Sequence, residues 1–176
     1  MSLLKRVWNI SDRIDIWLTN KFGLNAKQKL LEMKVDACCA GTEEALNEAL
    51  GLNAYYSKDY TITKNMVLNF AEATGDLNPI HFDEDFAKQT RFKGCIVHGM
   101  LTAGLVSASL TDHYGNGTIY VSQNLTFERP VRVGDSVRVT FTGEVRNEKT
   151  KFTSLYVKVF VKDKLVLHGT AVIIND

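Results

Sequence analysis

Gly99-Met100-Leu101-Thr102-Ala103-Gly104-Leu105-Val106-Ser107-Ala108-Ser109-Leu110 is the stretch on which the fold turns. Met100, Leu101, Ala103, Leu105, Val106, Ala108 and Leu110 make it apolar nearly all round, and a helix without a polar face has to be buried, wrapped by something else. The wrapping is legible downstream. Residues 118–127, 136–146, 152–162 and 165–174 carry alternating or β-branched runs, the signature of strands. Gly134-Asp135 punctuates the first long connection, and the tight gap at Asp163-Lys164 predicts a hairpin. Upstream, Tyr55 to Thr63 reads as a first strand. Lys64 to Thr74 reads as a helix capped by Thr63, with Met66, Val67, Phe70 and Ala71 on one side. Asp83 to Lys88 reads as a shorter helix. The expectation is an α+β domain over residues 53–176: about five mostly antiparallel strands curved round one central helix.

Residues 1–52 differ in character and are expected to form a helical N-terminal extension. Leu3, Leu4, Val7, Ile10, Ile14, Trp17 and Leu18 approximate helical spacing; residues 26–34 and a piece from Thr42 to Gly51 repeat the pattern. Trp8 and Trp17 among basic residues invite a membrane-anchor reading, but Asp12 and Asp15 dilute the basic face and favour packing on protein. The same acids disfavour a mitochondrial targeting peptide. No apolar run approaches the roughly 20 residues of a spanning helix, so no stable membrane insertion is expected. A chain of 176 residues, 45% hydrophobic and 23% charged, has material for a core without staples. Its net charge of +1 argues against nucleic acid as a partner. Cys38, Cys39 and Cys95 show neither a disulfide framework nor metal spacing, which points to a reducing compartment: cytoplasmic, or mitochondrial in a eukaryote.

Two short stretches carry chemistry. In Asp76-Leu77-Asn78-Pro79-Ile80-His81 an acid and an imidazole sit five positions apart across a rigid Asn-Pro, in a loop bounded by Gly75. Such a pair can exchange protons at neutral pH with one water or one substrate atom. The plainer reading is a turn, Asp76 capping it and His81 packing on it, and for this stretch alone the plainer reading wins. In Ile96-Val97-His98-Gly99-Met100 a glycine opens the apolar helix, where backbone can close on a ligand and free N–H groups favour developing negative charge. His98 itself is read as a cap or a core side chain.

Taken together, Phe70-Ala71-x-x-Thr74-Gly75-Asp76-x-Asn78-Pro79-Ile80-His81 and Ile96-Val97-His98-Gly99-Met100-Leu101 closely resemble the MaoC-like (R)-specific enoyl-CoA hydratase family. Asn124-Leu125-x-Phe127-x-x-Pro130-Val131-x-Val133-Gly134-Asp135 is similar to a third block of that family. The resemblance spans about residues 55–174 and implies a hotdog fold. It implies reversible hydration of trans-2-enoyl-CoA to (R)-3-hydroxyacyl-CoA, in fatty-acid or polyhydroxyalkanoate metabolism. Asp76 and His81 match its catalytic pair, Gly99 the glycine whose N–H polarises the thioester carbonyl, Asn78 a loop support and Ser107 a serine that helps hold the site. It implies no metal and no cofactor, an acyl-CoA or acyl-carrier-protein thioester as substrate, and a homodimer. Cys95 departs from the Pro or Arg of many relatives, and the His…Glu arrangement of the bacterial fatty-acid-synthesis dehydratases is lacking.

Three other readings compete. A 3-hydroxyacyl-[acyl-carrier-protein] dehydratase would use the same residues on another carrier. A thioesterase of this fold would deploy a carboxylate on the central helix, and residues 99–110 contain none. A non-catalytic acyl-thioester-binding protein would not need the full Asp76/His81/Gly99 set. Lys93, Arg129 and Arg132 are candidates for the carrier's phosphates, weighed against solvated surface charge.

Overall fold

The computed structural model describes residues 54, 56–146 and 151–175, which lie in one compact unit, Ala54–Asp176. The helical pieces expected within residues 1–52, and Trp8 and Trp17 with them, lie outside the described residues. Five strands form one antiparallel sheet in the order β1-β3-β4-β5-β2: β1 Tyr56–Thr61, β2 Ile119–Phe127, β3 Ser136–Arg146, β4 Phe152–Val161 and β5 Lys164–Ile174. Three helices join them: α1 Lys64–Thr74, α2 Glu84–Gln89 and α3 Gly99–Tyr114. Among the described residues, no helix is long and apolar enough to cross a membrane.

Strand alternation builds the core. Val137, Val139 and Phe141 of β3, Leu155, Val157 and Val159 of β4, and Leu167, Ala171 and Ile173 of β5 are all buried. Ala103, Leu105, Val106 and Leu110 of α3 join the same cluster. Burying each large side chain there contributes about 1.5–3 kcal/mol of transfer free energy, which explains why an apolar helix and a period-two sheet find each other. The ladder breaks register at Tyr120/Ser122 and at Thr142/Val145; such bulges bend and twist a strand.

The wrapping is incomplete, contrary to the expectation of a helix enclosed all round. Met100 is 52% exposed, and Gly104 and Ala108, one and two turns on, are also exposed, leaving one open stripe on α3. The hairpin turn also differs from the expected one by a residue. Lys162 and Asp163, both at positive φ (47° and 61°), make the turn, and Lys164 already belongs to β5. Two adjacent left-handed residues match the twist of a two-residue hairpin loop.

Candidate active site

Local capping shapes the acid-bearing loop. Thr63 accepts from the Met66 amide to start α1, and Gly75 ends it in the left-handed region at φ 75°, its N–H donating to Ala71 O at 2.7 Å. Asp76 follows at once. Its Oδ1 accepts from the Asn78 amide at 3.3 Å, and Asn78 Oδ1 in turn accepts from the Ile80 amide at 3.2 Å. Pro79–His81 then form a single 3-10 turn, with Pro79 at its first position. Asp76 is therefore a turn residue as well as a candidate acid, with its second carboxylate oxygen bonded to nothing among the described residues.

The segment before α3 meets this loop from the other side. His81 Nδ1 lies 2.8 Å from the Ile96 carbonyl oxygen, and the Ile96 amide donates to Ile80 O at 3.2 Å. A carbonyl only accepts, so His81 carries its proton on Nδ1 and presents Nε2 as the basic nitrogen. His98 is 2% exposed and makes no side-chain cap bond; its Nε2 is 3.0 Å from the main-chain oxygen of Asp76. The rings of His81 and His98 stack, centroids 3.7 Å apart at 28°. Asp76, His81 and His98 each bring one nitrogen or carboxylate oxygen within 4.8 Å of the others, a spacing also open to a metal ion.

Gly99 begins α3 directly after His98, and its N–H donates to no group among the described residues, as the first amides of a helix do. A Cβ at Gly99 would meet the Phe127 ring at 3.0 Å, so a side chain there would press on that ring. A pocket of about 180 Å³ opens beside Gly99, walled by Ile96, Val97, Thr102 and Val131, with Arg91 and Arg129 also lining it. It shares Gly99 with the group above but neither Asp76 nor His81.

Other expected residues stand apart. Ser107 is half-buried on α3, about 12 Å along the axis from Gly99 at 1.5 Å per residue, and makes no hydrogen bond to Asp76 or His81. Arg132 does not meet solvent as a free charge: its guanidinium donates to Cys95 O and Phe92 O, and its amide to Asp135, clipping the turn before α3. Arg129 donates to Leu165 O at 2.6 Å, and Lys93 is exposed. Arg91, whose guanidinium packs 4.8 Å over the Phe92 ring, was not among the expected cations, because nothing in its local sequence marks it. Burial and the neighbouring Glu84 raise the Cys95 thiol above its ordinary range, away from nucleophilic use. The helix does contain a carboxylate beyond residue 110. Asp112 sits about 20 Å along the axis from Gly99, accepting from Lys58 at 2.7 Å and Tyr56 at 2.8 Å. Those partners hold it below the usual carboxylate range, Lys58 first.

The MaoC-like domain family matches residues 46–165 of this sequence. The chain belongs to the MaoC-like family. Among curated relatives, this MaoC-like chain is similar to the (R)-specific enoyl-CoA hydratase of Rhodospirillum rubrum, 42% identical over 114 residues, 64% of this chain and 79% of that protein. It is equally similar to the 3-hydroxybutyryl-CoA dehydratase of Methylorubrum extorquens, 42% identical over 125 residues, 70% and 78% of the two chains. Among solved structures, the (R)-hydratase from A. caviae involved in PHA biosynthesis superposes with a TM-score of 0.65 at 34% identity, covering 69% of this chain and 93% of that one. The sheet with α3 against it is accordingly a hotdog fold.

Proposed function

We propose that the chain reversibly hydrates trans-2-enoyl-CoA to (R)-3-hydroxyacyl-CoA, with Asp76 and His81 as the reacting pair. The observation that carries this is the contact of His81 Nδ1 with Ile96 O at 2.8 Å: a proton donated there leaves Nε2 as the base, in a group where one ring nitrogen of His81 lies within 4.8 Å of an Asp76 carboxylate oxygen. A water held between the two gives up a proton to the pair as its oxygen bonds to C3. The electron pair of the C2=C3 bond shifts toward the thioester carbonyl, giving an enolate-like oxygen that the Gly99 N–H stabilises, and C2 then takes a proton back from the pair. Dehydration is the same path reversed. The names of the relatives with 42% identity support the same reaction in both directions.

Asn78 supports the loop through its bond to Ile80. Arg91 and Arg129, at the pocket that starts at Gly99, suit the anionic carrier of the thioester, while Arg132 is spent on the loop. Residues 53–176 carry the reaction in this reading and 1–52 are an appendage. A homodimer paired through exposed sheet edges completes it. The test is a pair of variants: Asp76→Asn and His81→Ala should each lose on the order of a hundredfold or more in hydration kcat, with melting temperatures near wild type. Near-normal rates in both would remove the pair from the mechanism.

A further inference from the structure

We propose that His98 is a positioning residue for this reaction, holding the Asp76 loop and the His81 ring in register with the start of α3. The inference rests on the reading of Asp76 and His81 as the reacting pair. Three observations build it. First, the two segments clasp each other reciprocally: His81, from the acid-bearing loop, reaches Ile96 O, while His98, from the segment before α3, reaches back to Asp76 O. A main-chain bond from Ile96 N to Ile80 O lies between them. Second, His98 gives its ring face to His81 at 3.7 Å, with Phe70 at 5.0 Å and Phe82 at 5.7 Å on other sides. A swing of the His81 ring would break both its carbonyl bond and this stack. Third, His98 is held in one tautomer. Its Nε2 faces a carbonyl and must carry the proton, leaving Nδ1 as a buried lone pair without a partner among the described residues.

A histidine that served only as packing would have no need of that orphaned nitrogen, since an aromatic ring fills the same space without one. What the imidazole adds is a ring and an N–H at once. The N–H fixes the backbone on which the Asp76 carboxylate is mounted, and the ring fixes His81. Gly99, the next residue, ties both to the amide that would face the thioester oxygen. Reacting groups gain most from being held by neighbours whose own rotamers are locked.

Two variants of the full chain separate the contributions. His98→Gln keeps an N–H of similar reach and removes the ring; His98→Phe keeps a ring and removes the N–H. Each is expected to lower hydration kcat on the order of ten- to a hundredfold with KM changed little, the signature of misplaced groups and not of weakened binding. Asp76→Asn and His81→Ala run beside them as controls. Wild-type kcat in both His98 variants, with the controls inactive, overturns the positioning role and leaves the reacting pair standing, and so does a loss confined to KM. Active controls overturn the pair itself, and this inference with it. Should the variants not fold, nitrogen NMR of histidine-labelled wild type decides: a proton on Nε2 of His98 and on Nδ1 of His81 is the expected pattern, and a proton on Nδ1 of His98 contradicts it.

Discussion

Asp76 holds a turn with one carboxylate oxygen, and its other oxygen is the one the proposed reaction would use; Asn78 continues the same turn through Ile80. The Asp76 Oδ1–Asn78 N and Asn78 Oδ1–Ile80 N bonds run in series, so the carboxylate is oriented by the loop it begins. Asn78→Ala removes the second bond, a loss of about 1 kcal/mol by comparison with other caps. Measured together, kcat should fall well before the melting temperature does; unchanged kcat would mean the loop is held by Pro79 and the clasp to Ile96 alone. At this scale the sequence was informative where the partners are neighbours. Asp76, Asn78 and His81 sit within six residues, in the coil and the single 3-10 turn that follow α1, so a spacing across Asn-Pro already keeps acid and imidazole near each other. The bond from His98 to Asp76 O and the stack on His81 join residues from opposite sides of α2, and no local pattern announces them. Arg132 shows the same blindness: it reads as a free cation, yet carbonyls about 40 positions away consume it.

Among the elements, those with a clean period were legible nearly to their ends. α1 spans Lys64–Thr74 as its apolar face and Thr63 cap predict, and β3 spans Ser136–Arg146. α3 runs four residues beyond Leu110 because Thr111, Asp112 and His113 are exposed; helix continues there without the apolar pattern that marks it. The expectation that α3 is enclosed failed for a related reason, since small residues such as Gly104 and Ala108 read as core or surface alike. The edge of the sheet carries its own prediction. Among the described residues β2 pairs only with β5, and it leaves Ile119 (53%) and Val121 (46%) exposed on a nine-residue strand. Long apolar edges invite pairing with another chain. The wild-type protein should sediment at twice the chain mass, and Val121→Lys, which sets two like charges at the joint, should shift it toward monomer with its circular dichroism intact. A wild-type monomer at micromolar concentration would contradict the edge-to-edge pairing.

At the scale of the described unit, the fold sets the acid-bearing loop against the segment that opens α3. The helix start supplies an amide unpaired among the described residues, the loop brings acid and imidazole against the segment before it, and a small pocket opens on the Gly99 side. The thioesterase alternative loses its carboxylate to geometry, because Asp112 is tied to Lys58 and Tyr56 at the opposite end of α3. The measurement that tests the central claim most directly is the enoyl-thioester absorbance of crotonyl-CoA and of a longer 2-enoyl-CoA on addition of the protein, followed by chiral analysis of the product. Loss of the band with an (R)-3-hydroxyacyl-CoA product is the predicted result. A band that persists with both CoA thioesters, or a product of the (S) series, would contradict it.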